Sequence, residues 1–181
     1  GGFTTVGILN ADNLLSAPDF RAAERAFQLM MQVAGRAGRR NDRGRVVIQT
    51  SQPTHPVIRQ VAVGDYHAMA LAELNERKAF GYPPYSRLVR FMLRSEEYNV
   101  LHHASHLFAE AMRRKFGARV MGPGASAVER LRGEYRVEIL LKVESGASMS
   151  LARKMIGELI GATKEDDAYR RVTIAVDVDA W

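Results

Sequence analysis

A short segment rich in glycine and arginine contains the residue types that phosphate chemistry requires. It reads Gln-Val-Ala-Gly-Arg-Ala-Gly-Arg over residues 32–39. On a helix, Gln32, Arg36 and Arg39 are four and three residues apart, so they share one face. Guanidinium groups bind phosphate oxygens in pairs and stabilise the charge that develops during phosphoryl transfer. The spacing therefore predicts a phosphate-handling face.

Two glycines lie beside this face. Gly35 and Gly38 carry no side chain, so a ligand or a facing domain can come close to the backbone there. The alternative interpretation is a solvated basic end of a helix. Each glycine inside a helix costs roughly 1 kcal/mol relative to alanine, and solvation alone does not explain that cost. The glycines therefore favour phosphate chemistry.

Two strands and several helices are predicted around this segment. Residues 5–10 and 46–49 are apolar runs typical of buried strands,. Between them, apolar residues at helical spacing from Phe20 onward predict a helix that ends near Gly38. A short helix over residues 57–63 and a second helix follow. In the second helix, four side chains are expected to point toward the protein interior: Tyr66, Met69, Ala70 and Leu74. The strands have no further neighbours here, which predicts an exposed apolar sheet edge or face.

A proline-rich segment divides the chain. Two adjacent prolines within residues 81–85 cannot continue a helix,. After it, alternating and helical apolar patterns predict the order β-α-β-β-α-β, the ferredoxin-like arrangement. The predicted fold class is therefore α/β plus α+β. Its parts are residues 1–80, a connector over residues 81–86, and an α+β domain over residues 87–181.

Composition limits the class of protein. The 181 residues are 46% hydrophobic and 25% charged, as in globular proteins, and the net charge is +6,. A basic chain favours an anionic partner such as nucleic acid.

The chain contains no cysteine, which excludes disulfides and thiolate metal sites within it,. No apolar run approaches the ~20 residues of a membrane helix. Since the chain starts with glycine, we expect it to be part of a longer protein.

A predicted hairpin tip offers a second candidate site. Arg130, Arg132 and Arg136 lie around Gly133, and such a tip could contact DNA phosphates,. A solvated turn is an equally good interpretation, because Glu129, Glu134 and Glu138 lie beside or between these arginines and cancel their charge. Both interpretations stay open at this point.

Three further groups of residues have simpler interpretations. His102 and His106 have metal-ligand spacing, and His103 lies between them, but no nearby carboxylate or cysteine completes a site,. An ordinary helix surface is favoured. Tyr82 and Tyr85 could stack a nucleic-acid base, although a rigid interdomain connection is favoured. Trp181 is interpreted either as a residue that anchors the chain by packing or simply as the end of this piece of chain.

The segment over residues 32–39 resembles motif VI of superfamily 2 helicases. A longer set of matching residues is similar to one family, the primosomal protein N′ family of bacterial replication-restart DNA helicases. The matching runs cover residues 7–12, 18–25, 32–39, 81–85 and 177–179. The resemblance extends over essentially the whole chain, and its N-terminal block is the most specific.

The resemblance implies roles for individual residues. Residues 1–80 would be the last part of the second RecA-like helicase lobe. Residues from about 86 would be the C-terminal domain of the family, which is similar to a ribosomal S10-like fold. Gln32, with Gly35 beside it, would contact the γ-phosphate region of ATP. Arg36 and Arg39 would be arginine fingers that reach across the cleft between lobes. Asp12 would help couple the nucleotide to DNA.

The resemblance also implies partners and cofactors. The longer protein would be a cytoplasmic ATP-driven 3′-to-5′ helicase that recognises stalled or abandoned forks. It would bind forked or branched DNA, single-strand-binding protein and other primosome proteins, with no membrane partner. ATP and magnesium would be shared with a first lobe, because this sequence has no GxxxxGK[ST] loop,. Zinc would be bound only by a cysteine-rich module outside this chain. The chain alone is therefore expected to be inactive.

Two other classes of function remain alongside the motor fragment. One is a separate nucleic-acid-binding module built on the β-α-β-β-α-β unit, and the other is a protein-docking domain without ATPase function. The glycine-spaced arginines favour the motor, because a simple binding module does not need them. A steep dependence of DNA affinity on salt would favour the nucleic-acid module over the docking domain.

Overall fold

A computed structural model describes residues 5–17, 19–37 and 44–179. The chain divides into two compact units, with the boundary between Phe80 and Gly81. The predictions made for Gly38, Arg39 and Trp181 fall outside the described residues.

Unit 1 combines a pair of parallel strands with four helices. Its elements are β1 (Thr5–Ile8), α1 (Asp12–Leu15), α2 (Ala22–Ala34), β2 (Arg45–Ile48), α3 (Pro56–Val63) and α4 (Tyr66–Phe80). The register of β1 and β2 pairs Val6 with Val46 and Ile8 with Ile48. The core of the unit includes Phe27, Met30 and Met69, all almost fully buried. Val47 is nevertheless 52% exposed, so apolar surface of this strand pair stays uncovered in the chain.

Local signals in the sequence explain where the helices of unit 1 begin and end. The Asp19 carboxylate accepts a hydrogen bond of 2.9 Å from the Arg21 amide just before α2. His55 Nδ1 accepts a hydrogen bond from the amide of Val57, and α3 begins with Pro56. Proline suits a first helical turn because its missing N–H is not needed there. Gly64, with a φ of 71°, ends α3 in the left-handed region that glycine adopts without strain,.

The prediction for the end of α2 was wrong. The helix ends at Ala34, and Gly35 is its C-cap. The backbone then continues through hydrogen bonds over three residues, from Arg36 N to Val33 O at 3.1 Å and from Ala37 N to Ala34 O at 3.0 Å. The turn is therefore tighter than an α-helix, a common way for helices to end.

Helix α4 buries a narrower face than its sequence pattern predicts. Met69 is buried as expected. Tyr66 and Leu74 are exposed, so the expectation that they point inward was wrong. The Tyr66 ring instead lies at the edge of the core, 6.1 Å from the Phe27 ring. None of the helices in the described part of the chain is long and apolar enough to cross a membrane.

Unit 2 consists of a four-stranded antiparallel sheet and two long helices. Its elements are β3 (Ser86–Ser95), α5 (Tyr98–Phe116), a 3₁₀ turn (Gly117–Arg119), β4 (Val120–Leu131), β5 (Glu134–Glu144), α6 (Met149–Glu165) and β6 (Thr173–Val178). The strands lie in the order β4-β5-β3-β6, and each neighbouring pair is antiparallel. The predicted mixture of helices and sheet is confirmed.

The core of unit 2 forms between one face of the sheet and the two helices. Phe91 and Leu93 on β3 and Ile139 and Leu141 on β5 are fully buried in it, and Phe108 of α5 packs edge-on against Phe91 at 5.4 Å. The residues between them on each strand point to the other face, as the two-residue period of a strand requires. Burial of each large apolar side chain contributes about 1.5–3 kcal/mol.

Strand β4 continues through Gly122 and Pro123, but its pairing with β5 is interrupted. The register against β5 shifts between Met121 and Gly124 and again between Ala125 and Arg130. Gly122 has a φ of 97°, and a Cβ atom there would lie 2.8 Å from the backbone oxygen of Glu138. Only glycine fits this close approach of two strands.

Candidate functional site

The phosphate-handling face predicted from the sequence lies at the C-terminal end of α2. The opposite side of this helix carries Phe27 and Met30, which are buried and fix its rotation. Gln32 and Arg36 are exposed at the free end. The structure therefore brings together two of the three predicted side chains. The third, Arg39, lies outside the described residues.

Gly35 separates Gln32 from Arg36 and keeps the surface between them open. Its backbone is right-handed helical, with a φ of −64°, so no positive φ requires glycine. A Cβ atom would meet the backbone oxygens of Met31 and Gln32 at 3.5 Å and 3.7 Å, which is ordinary contact. Packing against the residues that the structure describes therefore does not require glycine at this position.

The electrostatics of the helix end suit a cation. The last carbonyl groups of a helix carry a partial negative charge, which Arg36 complements. This interaction alone would explain one arginine. The exposed pair of an amide and a guanidinium also offers several hydrogen-bond donors to an anion. The arrangement can therefore bind phosphate oxygens supplied from outside the unit.

Asp12 joins the segments that follow the two parallel strands. Its carboxylate accepts hydrogen bonds from Thr50 Oγ1 at 2.6 Å and from the amide of Ser51 at 2.8 Å. These hydrogen bonds, that of Thr50 first, lower the pKa of Asp12,. The carboxyl ends of parallel strands are where α/β proteins bind ligands. The observed contacts of Asp12 are structural, and they give this edge a fixed shape.

A charge network that sequence reasoning missed holds α2 against α4. Arg77 Nη2 contacts Glu24 Oε2 at 2.6 Å and Glu73 Oε2 at 3.2 Å. Its guanidinium also lies 5.1 Å from the centre of the Phe20 ring. Burial is the main cause that raises the pKa of Glu73, and Arg77 opposes this increase,. The four-residue spacing of Glu73 and Arg77 was the available signal.

The second candidate, the hairpin tip, is a tight turn. Arg132 and Gly133 have φ values of 53° and 88° and connect Leu131 of β4 to Glu134 of β5. Positive φ values at both central residues are typical of two-residue hairpin turns. Arg132 is therefore exposed at the end of the hairpin.

The three arginines of the hairpin do not gather on one face. The Arg130 guanidinium lies 4.9 Å from the centre of the Tyr135 ring, its partner across the strands. Arg136 follows Tyr135 on β5, so it belongs to the opposite face of the sheet. There its cross-strand partner is Arg94. The buried Nε atoms of Arg94 and Arg136 have no hydrogen-bond partner within the described ranges.

The histidines of α5 form a surface cluster. His102, His103 and His106 are all exposed, and the rings of His102 and His106 lie 4.4 Å apart. Within residues 5–17, 19–37 and 44–179, no group of three or more His, Cys, Asp or Glu side chains has a geometry for metal binding.

The proline-rich segment is attached to the loop that follows β5. Ser145 Oγ donates a hydrogen bond of 2.9 Å to the Pro84 oxygen, and the Ser145 amide donates one of 3.3 Å to the Tyr85 oxygen. The Lys142 ammonium lies 3.9 Å from the centre of the Tyr82 ring. Burial lowers the pKa of Lys142. The Lys142 ammonium covers one face of the Tyr82 ring within unit 2, which leaves less of the ring for a base.

Comparison with known proteins places most of the chain in one family. The family described as Primosomal protein N C-terminal domain matches residues 78–181. The chain is 46% identical to the Replication restart protein PriA of Treponema pallidum over 143 residues, which are 77% of the chain and 22% of the relative. It is 34% identical to the protein of the same name from Bacillus subtilis, over 98% of the chain and 22% of the relative. The chain thus spans about a fifth of the length of these relatives.

Proposed function

Because this chain belongs to the primosomal protein N C-terminal domain family, we propose that it acts within a longer DNA helicase in the restart of replication. Its relatives are named Replication restart protein PriA. The match with the Bacillus subtilis relative covers 98% of the chain and so includes unit 1 as well as unit 2. The single observation that carries the proposal is the exposed face formed by Gln32 and Arg36 at the end of α2, opposite its buried side.

In this proposal, unit 1 is the last part of the second RecA-like lobe. The parallel pair of β1 and β2, connected through α2, supports this assignment. Gln32 and Arg36, with Arg39 of the same motif, would contact the phosphates of an ATP molecule held by a first lobe. ATP, bound with magnesium there, supplies the phosphoryl group. The arginines of this chain stabilise the charge that develops on it, and they have no catalytic role without the other lobe.

Unit 2 is proposed to hold forked or branched DNA and partner proteins, among them single-strand-binding protein. The strand order β4-β5-β3-β6, with α5 and α6 as the crossover connections, supports a ferredoxin-like or S10-like assignment,. The exposed Arg132 of unit 2 and the net charge of +6 of the whole chain support DNA as a partner,. A cytoplasmic location and zinc binding by another part of the longer protein belong to the same proposal.

The test is ATP hydrolysis by the full-length protein, with and without forked DNA. We expect DNA to stimulate turnover in the wild type. Arg36→Ala and Arg39→Ala should each reduce kcat by at least a hundredfold while the affinity for ATP changes little, because arginine fingers act on the transition state. Arg59→Ala is the matched control, since Arg59 is an exposed arginine of α3 in the same unit.

Two outcomes would contradict the proposal. Near-normal turnover in both arginine variants would remove the finger assignment. Absence of DNA-stimulated turnover in the wild type would favour a module that only binds nucleic acid or protein, and the arginines would then be a grip on the phosphate backbone.

A further inference from the structure

Unit 2 contains a groove between α5 and strands β4 and β5. We call it the α5–β4 groove, and its volume is about 340 Å³. The residues that characterise its walls are Tyr98, His102, His106, Glu129 and Tyr135. The volume is at the lower end of the range for small-ligand sites. The groove is therefore suited to one small aromatic group rather than to a folded partner.

The groove opens because β4 departs from β5. Ala125 pairs with Val137, and Arg130 pairs with Tyr135. Five steps along β4 therefore correspond to only two along β5, so the residues between Ala125 and Arg130 bulge from the ladder. Bulges of this kind often shape binding sites. Here the bulge brings Glu129 to the wall of the groove.

The walls of the groove are aromatic. Tyr98 is 55% exposed, and its ring meets Tyr135 edge-on at 5.5 Å between centres. His102 continues the series at 6.0 Å from Tyr98, and His106 follows at 4.4 Å from His102. Tyr98, His102 and His106 are each four residues apart, so they form one stripe along α5. This stripe is a surface on which flat rings can stack.

We propose that the α5–β4 groove binds one unpaired nucleotide of single-stranded DNA. The base stacks on the aromatic stripe, an interaction available to every base because each has a π-face. The Glu129 carboxylate accepts a hydrogen bond from the amino group of a base such as cytosine. This inference rests on the proposed DNA-binding function of unit 2 and names the place where an unpaired strand is held.

Charge around the groove suits the phosphates that flank such a base. The Arg130 guanidinium lies over the Tyr135 ring at the edge of the groove. A cation beside an aromatic wall is the combination that binds single strands. Bases inside a duplex are already stacked and cannot enter. The groove therefore discriminates between single-stranded and duplex DNA.

The experiment measures binding of the 181-residue chain to a fluorescein-labelled single-stranded DNA of twelve mixed nucleotides, by anisotropy at fixed low salt. We expect Tyr98→Ala and His106→Ala each to weaken binding about tenfold, the typical effect of losing one stacking partner. His103→Ala is the matched control. His103 is exposed on the same helix but does not line the groove, so it should change affinity less than twofold.

Further measurements separate a binding role from a folding role. Tyr98→Phe keeps the ring and should retain wild-type affinity, and circular dichroism should show the same unfolding temperature for wild type, His106→Ala and His103→Ala. In NMR spectra, the ring signals of His102 and His106 should shift when the single strand is added, whereas those of His103, whose ring lies 6.1 Å from that of His102, should shift less.

The inference and the proposed function fail in different ways. If the wild type binds single-stranded and forked DNA but His106→Ala and Tyr98→Ala bind as tightly, the groove is not the site and the proposed function stands. Binding of the duplex as tightly as the single strand, with unchanged histidine signals, also overturns the groove. If the wild type binds no DNA at low salt, the DNA-binding function of unit 2 fails, and the inference fails with it.

Discussion

The Asp12 carboxylate accepts a hydrogen bond of 2.6 Å from the Thr50 hydroxyl, across 38 positions of the chain. This contact joins the beginning of α1 to the segment after β2. With the backbone hydrogen bond from the Ala11 amide to the Gln49 oxygen at 3.0 Å, it holds the two segments together at one edge of the parallel strands. Ionisation of Asp12 strengthens the side-chain part of this connection, because a carboxylate is a better hydrogen-bond acceptor than a neutral carboxyl group.

The first prediction concerns the acid sensitivity of this edge. Because the folded-state pKa of Asp12 is lowered, its contribution to stability is present above the unfolded-state value of about 3.9 and is lost as the pH falls below it,. Asp12→Asn should therefore speed hydrogen exchange in residues 45–52 at pH 7 and cause a smaller difference at pH 3. Asp167→Asn, an exposed acid of unit 2, is the control and should leave this exchange unchanged.

The second prediction concerns the network of Arg77. Arg77→Met leaves Glu24 and Glu73 without their shared cation, so it should lower the free energy of unfolding of unit 1 by about 2–3 kcal/mol at pH 7. Urea denaturation, monitored by hydrogen exchange of the α2 amides, measures this loss in the free energy of unfolding. Lys78→Met, the neighbouring and exposed substitution on α4, should change stability by less than about 0.5 kcal/mol,.

The same variant has a characteristic pH dependence. The folded-state pKa of Glu73 is raised, so its neutral form favours the folded state, and this stabilisation is lost as the pH rises through the folded-state value,. In Arg77→Met, the free energy of unfolding should therefore fall more steeply with rising pH than in the wild type. An equal loss of stability in Arg77→Met at pH 4 and pH 7 would show that the charges do not matter.

The third prediction separates stability from activity at Gly35. The space beside Gly35 accommodates a methyl group, and its φ is helical, so Gly35→Ala should leave stability unchanged or raise it by up to about 1 kcal/mol,. In the full-length protein, the same change should reduce ATP turnover if a nucleotide approaches this surface. Gly64→Ala provides the contrast, because its φ of 71° should make that variant about 1–2 kcal/mol less stable,.

The fourth prediction concerns the close approach of β4 and β5. Gly122→Ala would place a methyl group 2.8 Å from the Glu138 oxygen at a positive φ, so it should destabilise unit 2 by about 2–4 kcal/mol,. Gly124→Ala meets no atom within 4 Å and should cost less than about 1 kcal/mol. Thermal unfolding followed by the fluorescence of the tyrosines in unit 2 distinguishes them. Equal unfolding temperatures would refute the proposed clash.

Periodicity in the sequence predicts the elements that bury one clear face. Alternation identifies β5, where Ile139 and Leu141 lie in the core, and helical spacing identifies α5 with Phe108. The prediction for α4 was wrong at Tyr66 because only a narrow stripe of this helix is buried. Apolar spacing shows which side of a helix faces the core, but it does not show how wide the buried stripe is. The end of α2 was missed because Gly35 continues with a helical φ and only the hydrogen-bond pattern changes.

The two candidate sites also differ in how far the sequence alone predicts them. The motif that contains Gln32 and Arg36 is local, so spacing alone predicts its two exposed donors. The α5–β4 groove depends on how Ala125 and Arg130 pair with β5, a relationship between distant parts of the chain that no short pattern records. The spacing of Tyr98 before His102 and His106 was the one local signal of it.

The rotation of α2 has a consequence for how this region tolerates insertions and deletions. Each residue turns a helix by about 100° and advances it by about 1.5 Å. Since Phe27 and Met30 are anchored in the core, one residue added between Met30 and Gln32 would swing Gln32 by that angle and carry Arg36 with it. Changes of chain length within α2 would therefore abolish the alignment of these side chains even where every residue type is retained.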